Sequence, residues 1–123
     1  MMDVIEISDD DQLYRRLITR FHINPDGTVN SAAFKGRNWK PDPSISVDLA
    51  KLTTPEQCLA HAGRDGFSIG VLLARVPRTL GFTVRHAPEP DNDAHALIEG
   101  KNDRSTCRLL AEATIVMLQD NDQ

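Results

Sequence analysis

Residues 13–23 read LYRRLITRFHI, and the fold turns on whether they form a helix or a strand. Leu13, Leu17 and Phe21 recur every four residues, with Tyr14 and Ile18 beside them, which is helical spacing. Ser8 followed by Asp9, Asp10 and Asp11 supplies an N-terminus, because acids in a first turn complement the helix dipole. The preferred assignment is therefore a helix near 9–20. The competing one is a strand, since β-branched and aromatic side chains are frequent in the same segment.

Downstream, NPDGTVN (24–30) is a turn: Pro25 presets φ, Asp26 accepts local bonds and Gly27 takes positive φ. A strand is expected near 28–34, followed by the loop KGRNWKPDP (35–43). SISVDL (44–49) alternates, with Ile45, Val47 and Leu49 on one face and Ser44, Ser46 and Asp48 on the other, as in a half-buried strand. In TTPEQCLAHAG (53–63), Thr54 at N-cap, Pro55 at N1, Gln57 at N3 and a closing Gly63 mark a helix near 55–62.

FSIGVLLARV reads as a continuous apolar strand near 68–76 ended by Pro77, and PRTLG as a helical turn closed by Gly81. Strands near 82–86 and 94–99 flank the loop APEPDND. Ser105 caps a last helix near 106–118, whose stripe is Cys107, Leu110, Thr114, Met117 and Leu118. The tail 119–123 is expected to fray. The expected architecture over 1–123 is a single small α+β domain with an acidic N-terminus: a largely antiparallel sheet covered by two or three helices.

Composition is that of an ordinary soluble globular chain, and six aromatic residues in 123 mean a core built mostly of Leu, Ile, Val and Ala. Cys58 and Cys107 form no C-x-x-C pair, which excludes zinc-finger spacing. Two buried free thiols in a reducing cytoplasm are expected, with a single disulfide as the alternative. MMDVIEISDDDQ has neither the basic nor the apolar region of a signal peptide, and the apolar run Val71–Ala74 is too short to span a bilayer. The net charge of −4 is unevenly spread: residues 1–12 hold five acids and no base, whereas 13–40 hold six bases against Asp26. Such a chain can present a basic face despite its acidic total.

Three stretches carry candidate chemistry. The first is HAPEPDNDAHALIEG (86–100), where His86, Asp91, Asp93 and His95 are weak metal-ligand candidates around a hairpin end. It matches no dedicated metal motif, and a solvated acidic loop is the simpler reading. His95 and Glu99 share a strand face about 13 Å apart, so either would need partners from elsewhere to act in catalysis. The second stretch is FKGRNWK (34–40), in which Phe34, Lys35, Arg37, Trp39 and Lys40 interleave cations with aromatics. Bases stack on exposed rings while cations follow phosphates, so this loop suits single-stranded nucleic acid, and it equally suits a protein partner anchored by Trp39.

The third is an order rather than a stretch: Arg15 in LYR (13–15), Ser44 and Ser46 in SIS (44–46), then Glu99. It resembles the Arg…Ser-x-Ser…Glu arrangement of mono-ADP-ribosyltransferases, in which Arg grips a nicotinamide dinucleotide, Ser-x-Ser props the site and Glu polarises a ribose hydroxyl. The resemblance rests on these positions alone and implies a strand, not a helix, at 13–15.

No Gly-rich phosphate loop, nucleophile elbow or close catalytic dyad is present, and no cofactor is expected. The leading expectation is a small cytoplasmic binding protein or accessory subunit, with the loop 34–40 contacting a protein partner, a second copy or single-stranded nucleic acid, and no membrane role. The alternative is a small enzyme built on His95, Glu99 and the 86–95 loop, acting by metal-assisted hydrolysis or transfer of a nucleotide-derived group.

Overall fold

The structure, a computed structural model, describes residues 3–63 and 65–119, without the side chain of Arg37. Gln12–Ile18 is a strand, β1, and only the single turn Thr19–His22 is helical, as α1. The helix expected near 9–20 is thus replaced by a strand. Leu13 and Leu17 are both fully buried. Their spacing is compatible with either structure, since four residues make about one helical turn or two strand repeats. Arg15 takes the inward position between them and breaks the apolar alternation that would have marked a strand.

The other strands are β2 (Ser44–Leu49), β3 (Phe67–Leu73), β4 (Thr83–His86), β5 (His95–Glu99) and β6 (Ile115–Gln119). They form one antiparallel sheet in the order β4-β5-β2-β1-β3-β6. β2, β4 and β5 lie where the sequence places them, as does α2 (Pro55–Ala60), whose Thr54 hydroxyl accepts from Gln57 N at 3.1 Å.

Three further assignments change. Residues 28–34 form no strand: Val29 makes an isolated bridge to Ile23, and Ser31–Phe34 is a 3-10 turn capped by the Asn30 side chain. The strand expected near 68–76 ends at Leu73, and Arg75–Thr79 becomes α3. Pro77 lies in the first turn of α3, where an amide hydrogen has no helical acceptor to lose. The helix expected near 106–118 stops at Glu112 as α4 (Arg104–Glu112), and β6 follows. Thr114 marks the break, its hydroxyl donating to Leu110 O at 2.7 Å. The β-branched IVMLQ then pairs along Ser68–Val71 of β3, satisfying a backbone edge that helix would have left open. Of the tail 119–123 expected to fray, Gln119 is instead the last residue of β6, and 120–123 lie outside the described residues.

One sheet face holds Leu13, Leu17, Ile45, Val47, Leu49, Ala96 and Ile98, closed by Phe34 and by Cys107, Leu110 and Ala111 of α4. The other face carries a smaller cluster of Tyr14, Cys58 and Ile69 beneath α2. Both cysteines are buried free thiols, and burial pushes Cys58 up to about 12. Among the described residues no helix is long and apolar enough to cross a membrane.

One departure from regular pairing positions the site. β1 pairs with β3 from Gln12 to Ile18, and β2 with β5 from Ser44 to Asp48. β1 and β2 themselves pair only at Leu13–Leu49 and Tyr14–Asp48. Beyond those pairs the two central strands part.

Candidate functional site

A cleft of about 620 Å³ lies against β1, lined by Arg15 and Arg16, by His22 of α1, and by Lys35, Asn38 and Trp39. Arg15 sits at the gap. Its Nε donates to Ala33 O at 3.0 Å and its Nη1 to Ser46 O at 2.8 Å, while its guanidinium lies 5.7 Å from the centre of the Phe34 ring. Burial pulls Arg15 down to about 10, with the Asp42 charge acting against that fall, so it remains a cation at neutral pH. Among the described residues no carboxylate lies within ion-pair distance of it. A half-buried cation held by two carbonyl dipoles and an aromatic ring, with no carboxylate beside it, is left able to take an anion. Arg16 differs, because its Nη1 meets the buried Asp48 at 3.0 Å.

The rim is aromatic. Trp39 is 57% and Phe21 46% exposed, and their rings meet edge to face with centroids 6.0 Å apart. Arg20 stands over Phe21 at 4.7 Å. The loop bearing Trp39 is closed by Gly36 N donating to Lys40 O and by a Lys35–Pro41 bridge. Within it Asn38 and Trp39 both have left-handed backbones, at φ 63° and 58°. For a bulky residue such as Trp this costs on the order of 1–3 kcal/mol, and such outliers cluster at ligand clamps. The strain holds a large ring at the mouth of the cleft instead of burying it.

His22 adds a neutral donor. Its Nδ1 accepts from Ile18 N at 2.8 Å, so its own proton is on Nε2. Burial, and then the Arg15 charge, pull it down to about 4. The unfolded chain therefore takes up a proton near pH 6.5 that the folded one refuses until about 4, and stability falls as pH drops through that window. Urea titrations between those pH values should show this decline. His22→Asn, whose Oδ1 can replace Nδ1 as acceptor, should remove the His22 share of the slope, and an unchanged slope would contradict the assignment.

The other sequence candidates divide. Phe34 is fully buried beneath Arg15 and offers no contact surface, whereas Lys35 lines the cleft and Lys40 is exposed beside it. The Arg37 side chain lies outside the described residues. Arg15 and Ser46 are brought together. Ser44 and Glu99 are cross-strand partners on the same face, but Glu99 binds Arg85, Nε to Oε1 at 2.6 Å, and does not line the cleft.

His86 and His95 do not converge. His86 is opposite Ala96 in register, so the two rings project from opposite faces of the hairpin. His86 accepts from Ile5 N through Nδ1 and donates from Nε2 to Asp93 O, which leaves no ring nitrogen for a metal. Asp91 and Asp93 are exposed, and no group of three metal-binding side chains forms among the described residues. His95 donates from Nδ1 to Ala87 O at 2.8 Å. Its Nε2 faces Ser46 Oγ at 3.3 Å and Glu89 at 3.8 Å, on the polar sheet face and apart from the cleft.

Phe21, His22, Arg16 and Asn38 belong to the site without having been singled out in the sequence. The available signal was Phe21 and His22 following a basic pair within one strand-and-turn segment, which a helix would have distributed around its circumference. No family model matches this chain, and comparison with curated proteins and with solved structures gives no match.

Proposed function

We propose that this chain binds single-stranded nucleic acid, seating a base against Trp39 and Phe21 and its phosphate on Arg15. The observation that carries this reading is Arg15, a half-buried guanidinium lining an open cleft with no carboxylate within ion-pair distance among the described residues. Lys35 and the Nε2–H of His22 add donors, so the cleft offers several donors to an anion, with exposed aromatic faces at its rim. Stacking of a base on such a face contributes about 1–3 kcal/mol and tolerates any base.

A second reading has its own support. Arg15 lies on a strand, as the resemblance to mono-ADP-ribosyltransferases implies, and it also donates to the Ser46 carbonyl. On that reading the ligand is a nicotinamide dinucleotide, and Glu99 would have to exchange Arg85 for the substrate.

Trp39 is the one tryptophan, so its fluorescence separates the two. Short single-stranded RNA should quench it with an affinity that falls as salt rises, at a log–log slope of about 0.7 per phosphate contacted. Quenching by NAD+ but not by RNA favours the second reading. A Trp39 that responds to neither removes both.

A further inference from the structure

A second cleft, of about 790 Å³, lies between the 24–31 turn and α4, and Lys35 lines both it and the Trp39 cleft. Its far wall carries Arg104 and Arg108, one helical turn apart on the exposed face of α4. Arg108 reaches Glu112 only at 3.6 Å, across an exposed i,i+4 pair. Arg104 makes no ion pair among the described residues. It also occupies the first position of α4, where the helix dipole disfavours a cation. The helix end itself is closed, because Asp103 accepts from Thr106 N and Thr106 reciprocates. Any anion here would be held by side chains, not by open helix amides.

Two adjoining clefts sharing one lysine, each with its own arginines, match a chain of phosphates better than a single nucleotide. We infer that they form one groove, in which the nucleotide seated at Trp39 is followed by a backbone passing Lys35 onto Arg104 and Arg108. This rests on the nucleic-acid reading of the Trp39 cleft and adds a direction and a minimum length to it. The partner is an oligonucleotide, and the second cleft is a phosphate subsite without a stacking platform.

The experiment is a Trp39 quenching titration with uridine monophosphate, di-, tetra- and octauridylate, on the wild-type protein and on the Arg104→Ala/Arg108→Ala double variant. Both arginines are exposed, and the variant's thermal melt, expected to match that of the wild type, serves as the folding control. The wild type should bind the tetranucleotide at least about tenfold more tightly than the mononucleotide, if two added phosphate contacts contribute even modestly. The double variant should lose most of that gain and reduce the salt slope by about 1.4, while binding uridine monophosphate as the wild type does. Equal affinity for mono- and tetranucleotide in the wild type, or a variant that keeps both the length gain and the slope, overturns the groove and leaves the Trp39 site standing. Failure of every probe to quench Trp39 removes the underlying reading and this one with it.

Discussion

Replacing Arg15 with Met lowers oligonucleotide affinity by roughly 10-fold to about 150-fold, the ~1.5–3 kcal/mol expected for hydrogen bonding to a charged group. The same substitution should leave a cooperative melt within a few degrees of wild type. Ala33 O and Ser46 O lose a donor, but the cleft is open enough for water to replace it. Against that loss, the fold no longer has to half-bury a guanidinium that lacks a carboxylate partner. The unbranched Met side chain still covers Phe34. Arg15→Lys is the informative intermediate: it keeps the charge but lacks the planar fork that spans both carbonyls while presenting further N–H groups to a phosphate, so a severalfold loss is expected. An affinity unchanged by Arg15→Met would sink the assignment of the anion to this residue.

The neighbouring arginine should behave in the opposite way. Arg16→Met is expected to destabilise the fold by about 3–5 kcal/mol, a melting shift on the order of 10–20 °C. Asp48 is 1% exposed, and its carboxylate is held by Arg16 Nη1 at 3.0 Å and Asn92 Nδ2 at 2.9 Å. Without Arg16, a buried anion keeps only neutral donors, Asn92 Nδ2 and the Cys58 thiol. The same arginine also donates to Cys58 O at 3.3 Å, tying β1 to α2 across Asp48. The double variant Arg16→Met/Asp48→Asn should recover most of the loss, because the charge has gone and the amide still accepts from Asn92. If the single variant melts like wild type, or the double fails to recover, the pair is not the link described. When the expected results hold for both, Arg15 is read chiefly through binding and Arg16 chiefly through stability.

That division was invisible in LYRRLITRFHI, where both residues read as polar positions on a helix. In a strand, neighbours point to opposite faces, so Arg15 enters the gap beside Phe34 while Arg16 turns to Asp48 beneath α2. The inward charge that made the segment look helical is the residue around which the candidate site is built. Local rules fail most often where a fold carries a functional group at a stability cost. Trp39 and Lys35 were identifiable beforehand because an aromatic among cations in a loop is unusual whatever the fold. Phe34, from the same stretch, was misread as contact surface because nothing local distinguishes a ring that turns inward from one that turns out.

The sequence by itself determined the elements whose signals are local. SISVDL alternates at the strand period, Thr54, Pro55 and Gln57 mark the start of α2, and the acidic loop divides β4 from β5. Each depends on contacts within a few residues or on one face of one strand. Tertiary structure alone decided the rest. β1 is a strand because β3 pairs with it along its whole length, and Ile115–Gln119 is a strand because the outer edge of β3 needed hydrogen-bond partners. Arg15 reaches the Ser46 carbonyl because β1 and β2 abandon each other after Tyr14 and Asp48. Those are pairings between residues tens of positions apart, and backbone hydrogen bonds are satisfied or left open by whatever strand arrives alongside, which no short window of side chains encodes.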